Sequence, residues 1–210
     1  MVISASMVKE LRERTGLGMM DCKKALVKAD GDIEAAIDDL RKSSGMKAAK
    51  KAGRIASDGL IAVKMADDGQ LGIMVEVNCE TDFAARDENF VAFVQTVANT
   101  VFEKKSSDVD ELLALGLETV REALVQKIGE NISIRRAEVY STSSIYSYVH
   151  TTNRIGVLVS LDGGNEELGR DIAMHVAASA PTVINPDDAP EDIISREREI
   201  YTAQAEESGK

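Results

Sequence analysis

The sequence predicts an α+β protein in which a bundle of three short helices precedes two small units, each an antiparallel sheet with helices. Three observations point to this class. Apolar residues recur at helical spacing up to about residue 42, they alternate as in strands from residue 60 onward, and the order strand, strand, helix then occurs twice. These changes divide the chain into residues 1–54, 55–140 and 141–210.

The first helix has signals at both of its ends. Ser4 is expected to cap its start, and Ile3 and Val8 are expected to form a hydrophobic staple across that cap. Gly16 is expected to end the helix. The turn that follows, residues 15–20, ends in two methionines, a residue type that suits both core packing and an adaptable protein contact.

Two further helices each carry one apolar face. Gly31 is expected to end the second helix, and Asp32 is expected to cap the third. The faces consist of Cys22, Ala25, Leu26 and Ala29 in the second helix, and of Ile33, Ala36, Ile37 and Leu40 in the third. Together with the first helix, these faces can enclose one small core.

A basic stretch separates the bundle from the sheet units. It is rich in alanine and lysine, and it has six cationic side chains and no acidic one. The cations are Arg41, Lys42, Lys47, Lys50, Lys51 and Arg54. Taken alone, the stretch is interpreted as a solvated basic linker, with a domain boundary near Gly53.

The first sheet unit begins with a hairpin. A strand over residues 60–65, a turn at residues 67–69 and a second strand from Leu71 predict it. The polar residues 78–87 then lead into a helix, so Thr81-Asp82-Phe83 is placed on a strand-to-helix connection. The apolar faces are expected to be Leu71, Ile73, Val75 and Val77 in the strand, and Phe90, Phe93, Val94, Val97 and Val101 in the helix.

The remaining pattern completes both units. We expect helices over residues 109–115 and 117–128, a strand over residues 132–139, strands over residues 145–150 and 155–161, a turn at residues 162–164, and helices over residues 166–179 and 191–208. The recurring order indicates a duplication of architecture, although no residue-by-residue repeat is visible.

Composition restricts the class of function. The net charge of −11 disfavours nucleic-acid binding, because that binding depends on cations that contact phosphates. The two cysteines match no metal-ligand spacing, so reduced thiols in the cytoplasm are expected. No basic and then apolar leader occurs, nor an uninterrupted run of about 18 apolar residues, which disfavours secretion and membrane insertion.

No pattern of residue types indicates catalysis or a cofactor. A thiol nucleophile would need Cys79 beside a histidine and an orienting carboxylate. The candidates are His150, His175 and Asp82, and no spacing supports such a site. The glycines at residues 16–18 lack the rest of any phosphate-binding fingerprint. We therefore expect no catalytic residue, no metal ligand and no cofactor.

Phe83 is unusual because it is an aromatic residue in a polar segment of a chain with only four Phe, four Tyr and no Trp. Two interpretations are open. Phe83 folds back to cover the start of the helix that contains Phe90, which is the first expectation from the residues alone. Alternatively, it is an anchor that enters a pocket of a partner protein.

Several long motifs resemble the elongation factor Ts family of bacteria and organelles. They cover residues 8–16, 18–26, 78–83, 128–132, 154–159 and 172–179, and so nearly the whole chain. The resemblance implies that the helical start is a ubiquitin-associated-like domain, and that the protein promotes release of GDP from elongation factor Tu so that GTP can bind. It implies no covalent chemistry.

The resemblance also implies a set of partner-binding residues. In the helical domain they are Lys9, Arg12, Met19, Met20 and Lys23. In the sheet units they are Asp82 and Phe83 near the partner's magnesium and phosphate site, Ile128 and Gly129 in a second contact region, and His150 near the partner's third domain. Lys50 and Lys51 match the family's basic linker.

The resemblance leaves alternatives open. Asp82 either acts on the partner's magnesium site or only holds the loop for Phe83. The assembly with elongation factor Tu is either a heterodimer or a two-by-two complex, and the family also supplies a subunit to some phage RNA replicases. Many relatives continue past residue 210 into a coiled-coil protrusion and a further module, so the second sheet unit is expected to be incomplete. The rival hypothesis is a ubiquitin-associated-like binding module on an α+β scaffold without exchange activity.

Overall fold

The computed structural model describes residues 3–209, so Met1, Val2 and Lys210, at the outer ends of the first and last predicted units, lie outside it. Its first three helices are α1 (Ala5–Thr15), α2 (Met19–Lys28) and α3 (Ile33–Lys51). The Ser4 hydroxyl accepts a hydrogen bond from the Met7 amide at 3.3 Å, and the Asp32 carboxylate accepts one from the Ala35 amide at 3.0 Å. Both predicted caps are confirmed.

The bundle encloses a core of its own. Its buried members are Val8, Leu11, Leu17, Cys22, Ala25, Leu26, Ala36 and Leu40, with Ile3 packed at the edge. Five of them, Cys22, Ala25, Leu26, Ala36 and Leu40, are residues that the helical spacing placed on the inner faces of the second and third helices, so the predicted bundle is confirmed.

The basic stretch is not a linker, which corrects the sequence interpretation. Helix α3 continues through it to Lys51. Ser44 and Ala48 are buried there, and Ala48 belongs to the main core rather than to the bundle core. Alanine and lysine are strong helix formers, and the small residues Ser44 and Ala48 pack inward while most of the cations are exposed and Lys47 and Lys51 are half-buried. One helix therefore joins the two cores.

The main sheet has three antiparallel strands in the order β1 (Asp58–Met65), β2 (Leu71–Cys79) and β3 (Ser133–Ser141). The central strand β2 pairs with both neighbours. Ile73, Val75 and Val77 are fully buried, as the alternation predicts. The sheet therefore presents one apolar face to the helices that follow.

Helices α4 (Asp82–Ala85), α5 (Glu88–Lys104), α6 (Val109–Leu112) and α7 (Glu118–Ile128) complete the first unit. The predicted face of α5 is confirmed, since all five of its residues are buried. Between α6 and α7 the chain forms one π-helical turn, Leu113–Leu117, so the two helices are not separated by a loop. Helix α7 packs against α3 and leads into β3.

The second unit contains β4 (Ile145–Val149), β5 (Gly156–Ser160) and α8 (Glu166–Ser179), within one residue of the predicted ends at most positions. The two strands pair antiparallel, and α8 covers them. Gly169 permits this packing, because a Cβ at that position would lie 2.1 Å from the Tyr146 ring.

A charged helix, α9 (Glu191–Glu207), follows a short 3-10 turn, Pro186–Asp188. No residue of α9 is buried. Across residues 3–209, we find no helix with the length and apolar character needed to span a membrane.

Candidate functional site

Phe83 lies in the first turn after the central strand and points away from the core. It is 81% exposed, whereas its neighbours Ala84 and Ala85 are buried. The interpretation in which Phe83 folds back over α5 is therefore wrong. A large apolar ring is instead held on the surface by a helical turn whose other side is packed.

Glu130 holds the start of this turn. One carboxylate oxygen, Oε2, accepts hydrogen bonds from the Glu80 and Thr81 amides, both at 3.0 Å. The other oxygen, Oε1, accepts one from the Thr81 hydroxyl at 2.7 Å. The same hydroxyl accepts a hydrogen bond from the Ala84 amide at 3.2 Å and so caps α4. Glu130 thus anchors the segment that carries Phe83.

Gly129 places Glu130 correctly by ending α7. Its φ of +88° lies in the left-handed region, and its amide donates to the Val125 carbonyl at 2.9 Å. The ammonium group of Lys51, at the end of α3, donates a hydrogen bond to the Gly129 carbonyl. Ile128 is half-buried against the main core. The turn after α7 is consequently tied to α3 on one side and to the Phe83 turn on the other.

Asn131 extends the same network to the chain that leaves α3. Its amide donates to Glu80 Oε1 at 2.6 Å. Its side-chain nitrogen donates to the carbonyls of Arg54 at 2.8 Å and Ala52 at 3.3 Å. Asn131 is 7% exposed, so these bonds satisfy a polar group that the fold has removed from water.

Asp82 is half-exposed and pairs with Arg86, with 2.9 Å between Oδ2 and the guanidinium. Both residues line a cleft of about 600 Å³, together with Thr151 and Arg154 of the turn after β4. An exposed pair of this kind contributes little stability, typically below about 1 kcal/mol. The carboxylate can therefore exchange Arg86 for a group on a partner at small cost.

His150 begins the turn after β4 and directly precedes Thr151, which lines this cleft. It is exposed, and its Nδ1 lies 3.0 Å from the Tyr148 hydroxyl. The Asn153 carbonyl accepts a hydrogen bond from the Ile61 amide at 2.7 Å, which ties the turn to β1. The fold thus brings the second-unit turn next to the turn that carries Asp82 and Phe83.

Comparison with known proteins identifies the family. A family model described as Elongation factor TS matches residues 80–210. Elongation factor Ts of Hahella chejuensis is 64% identical over 208 residues, with 99% of this chain and 73% of the relative covered. The chain belongs to the elongation factor Ts family. Elongation factor Ts of Saccharophagus degradans is 57% identical, with 100% and 73% covered, and that of Arthrospira platensis is 56% identical, with 99% and 87% covered.

The elongation factor Ts motif in the helical start forms a second exposed set. Lys9, Arg12 and Lys23 are exposed, and Met19 and Met20 are 59% and 62% exposed. Lys9 pairs only weakly with Glu13, at 3.8 Å, and both side chains are largely in solvent. These five residues lie on α1 and α2, separate from the Phe83 turn. The predicted site residues therefore form two groups, one on the bundle and one at the end of the main sheet.

Cys79 does not have the properties of a nucleophile. Its side chain is fully buried, and its thiol donates a hydrogen bond to the Thr81 carbonyl at 3.2 Å. Burial, followed by the negative charges of Glu130 and Asp58, raises the pKa of the thiol to about 12. Among residues 3–209, no cluster of three or more His, Cys, Asp or Glu side chains has the arrangement of a metal site.

Sequence reasoning missed the residues that hold the Phe83 turn. Glu80, Glu130 and Asn131 lie inside two motifs shared with elongation factor Ts, but no role followed from their positions. The two motifs are about fifty residues apart in the chain, and only the antiparallel pairing of β2 with β3 brings them together. A signal was present, because a polar motif directly after a helix-ending glycine is typical of a structured turn.

Proposed function

We propose that this chain is a guanine-nucleotide exchange factor for elongation factor Tu and promotes release of its GDP so that GTP can bind. The observation that carries the proposal is the 81% exposure of Phe83 on a turn that is fixed from behind. A bulky apolar side chain held rigidly in water is unfavourable for the free protein and suits insertion into a partner's pocket.

The proposed mechanism needs no covalent step. An exchange factor must bind the nucleotide-free partner more tightly than the nucleotide-bound one, and linkage then lowers the nucleotide's affinity by the same factor. Phe83 acts as a wedge that favours the displaced arrangement of the partner's magnesium and phosphate ligands. Asp82, beside it, adds negative charge at the same place.

The bundle has a different role in this proposal. Lys9, Arg12, Met19, Met20 and Lys23 dock on the nucleotide-binding domain of elongation factor Tu and supply affinity. Ile128, Gly129 and His150 extend the contact at the end of the main sheet. The division between docking and displacement is consistent with the two separate groups of exposed residues, and residues 1–54 are the docking unit. The cytoplasm is the proposed place of action.

The test is release of a fluorescent GDP analogue from elongation factor Tu in a stopped-flow instrument. We expect the chain to accelerate release, and Phe83→Ala to reduce the acceleration by roughly tenfold to a hundredfold, as for an interface anchor. Tyr201→Ala is the matched control, since it removes another exposed ring, 66% exposed on α9. Unchanged stimulation by Phe83→Ala would remove the wedge from the mechanism.

A titration separates docking from displacement. We expect Met20→Ala combined with Lys23→Ala to weaken formation of the complex while the release rate at saturation stays near that of the unaltered chain. Loss of the saturating rate instead would show that the bundle takes part in displacement. Light scattering of the complex distinguishes a heterodimer from a two-by-two assembly.

A further inference from the structure

We infer that Glu130 is a positioning residue for Phe83, which it fixes through Thr81 in the orientation needed to displace the partner's nucleotide ligands. This inference rests on the proposed exchange function. Glu130 lies in the turn after α7, forty-seven positions along the chain from Phe83, and its hydrogen bonds reach the Phe83 turn through the amide and hydroxyl of Thr81.

The number of acceptors explains why a carboxylate is needed. Three donors converge on Glu130, namely the amides of Glu80 and Thr81 and the Thr81 hydroxyl. An ionised carboxylate offers acceptor sites on both oxygens and carries no hydrogen. Glutamine has nearly the same shape but would turn an NH₂ group toward either the two amides or the hydroxyl. With its oxygen toward the two amides, glutamine donates to the Thr81 hydroxyl instead of accepting from it, so the negative charge is lost and the hydroxyl hydrogen loses its acceptor.

Glu130 also fixes the direction of the Thr81 hydroxyl. Because the hydroxyl hydrogen points to Glu130 Oε1, a lone pair of the oxygen is left facing the Ala84 amide, which donates to it at 3.2 Å. This cap starts α4, the four-residue turn that contains Phe83. So short a helix cannot maintain itself by internal hydrogen bonds. Its orientation depends on the cap and on the group behind the cap.

Hydrogen bonds run in both directions between the Phe83 turn and the turn after α7, which stiffens the connection between them. Glu130 accepts from the amide of Glu80, and Glu80 in turn accepts from the amide of Asn131 at 2.6 Å. The Arg54 guanidinium, three residues after α3, lies 3.4 Å from the Glu80 carboxylate, and the Arg54 carbonyl accepts a hydrogen bond from the Asn131 side chain. The Phe83 turn is thereby linked to the end of the helix that carries the docking bundle. Docking of the bundle and placement of Phe83 are held in one fixed geometry.

Preorganisation of this kind affects displacement more than docking. A loosened turn must be ordered again when Phe83 enters its pocket, and that cost lowers the stability of the displaced state. We expect Glu130→Gln to slow stimulated GDP release about tenfold at saturation, since hydrogen bonds to a charged group are lost. Affinity of the bundle for elongation factor Tu changes much less.

A double-mutant cycle tests whether Glu130 acts through Phe83. Release is measured with the unaltered chain, with Glu130→Gln, with Phe83→Ala and with both changes. If Glu130 positions Phe83, its replacement has less than about a twofold effect once the ring is absent. Independent, multiplicative losses would overturn the inference. Glu76→Gln is the matched control, because Glu76 is also a half-buried glutamate that pairs with Arg135 and Arg136, but in the middle of the sheet.

Thr81 provides a second pair of variants in case Glu130→Gln unfolds the chain. Thr81→Val keeps the shape and removes the hydroxyl, and Thr81→Ser restores it. We expect Thr81→Val to lose stimulated release as Glu130→Gln does, and Thr81→Ser to recover most of it. Equal rates of stimulated release with Thr81→Val and Thr81→Ser would contradict a role for the Thr81 hydroxyl.

A spectroscopic readout on the free chain is independent of exchange. The sequence has no tryptophan, so Phe83→Trp creates a single tryptophan fluorophore at the turn. We expect Glu130→Gln or Thr81→Val in that background to increase the fast component of the anisotropy decay, and Glu76→Gln to leave it unchanged. An unaltered decay would overturn the inference. If the unaltered chain fails to release GDP, the proposed function fails, and the anisotropy still decides the role of Glu130.

Discussion

Cys79 shows how one buried side chain makes stability depend on pH. The thiol is enclosed at the end of β2, and burial with the nearby negative charges of Glu130 and Asp58 raises its pKa to about 12 from an ordinary value of 9.0. The folded state thus favours the neutral thiol. A charged thiolate would lie in apolar surroundings and close to two carboxylates.

The raised pKa predicts a loss of stability in alkaline solution. The thiol ionises near pH 9.0 in the unfolded chain and near pH 12 in the folded one. The stabilisation that the neutral thiol gives to the folded state is therefore complete below pH 9 and decreases from there toward pH 12. The slope is about 1.4 kcal/mol per pH unit in that window. Urea unfolding at several pH values measures it. Cys79→Ala is the reference, since lysines and tyrosines titrate in both chains, and parallel pH curves would contradict the prediction.

The network behind Phe83 bears on the two roles considered for Asp82. Glu130 and Thr81 already hold the turn, whereas Asp82 makes only an exposed pair with Arg86. We therefore propose that the Asp82 charge acts at the partner's magnesium site. Asp82→Asn is expected to reduce stimulated GDP release several-fold at millimolar magnesium, and the deficit is expected to shrink when magnesium is removed with a chelator. If release by Asp82→Asn stays equally slow without magnesium, Asp82 instead holds the turn that carries Phe83. Arg86→Gln is the control, because it removes the ion pair and keeps the Asp82 charge.

At the scale of elements, local signals predicted most helices and strands. Capping residues, helical spacing and the turn at residues 67–69 act within a few positions, so a single sequence reveals them. The continuation of α3 to Lys51 was missed for a physical reason. Its buried side chains are small, Ser44 and Ala48, and the apolar signal that marks an inner face is therefore weak. The helix is stabilised by packing on α7, which the local pattern does not contain.

The site at the end of the main sheet was predicted only in part. An aromatic residue in a polar loop drew attention to Phe83, but the residues alone favoured burial of the ring, and the 81% exposure contradicts that. Glu130 and Asn131 gave no such signal. Their hydrogen bonds depend on the pairing of β2 with β3 and on the position of α3. Contacts between distant segments of the chain cannot be read from spacing.

Close packing of α8 on β4 makes a definite prediction for the second unit. A methyl group at residue 169 would lie 2.1 Å from the Tyr146 ring, so Gly169→Ala must displace either the ring or the helix. We expect a loss of about 1–3 kcal/mol in the free energy of unfolding. Thermal unfolding, monitored by near-ultraviolet circular dichroism, measures this loss of stability. Gly53→Ala is the matched control, because a Cβ there meets nothing within 4 Å, and equal effects of the two changes would contradict the packing argument.

Across the whole molecule, charge is distributed unevenly. Residues 1–54 contain 12 Lys and Arg against 8 Asp and Glu, whereas residues 55–210 contain 13 against 28. Residues 1–54, the proposed docking unit, thus carry a net positive charge on a chain whose net charge is −11. If it binds an acidic surface of the partner, long-range attraction speeds association and salt weakens it.

This asymmetry predicts that association with elongation factor Tu slows as salt is raised. Between about 50 and 500 mM salt we expect the association rate to fall by roughly tenfold, while dissociation changes less. Stopped-flow mixing measures both rates. Lys23→Ala is expected to flatten the dependence, whereas Lys104→Ala, an exposed lysine near the end of α5, is expected to leave it as it is. A rate independent of salt would place the docking energy in apolar contacts such as Met19 and Met20.

The continuity of α3 fixes the rotation of the bundle relative to the main core, and so of one proposed group of binding residues relative to the other. The helix has 19 residues and a length of about 28 Å, and it belongs to the bundle core at Leu40 and to the main core at Ala48. One residue inserted between those points would turn the bundle by about 100° relative to Phe83. An insertion of seven residues would nearly restore the phase but would move the bundle by about 10 Å. The connection between the two cores is therefore far less tolerant of changes in length than a flexible linker of the same size.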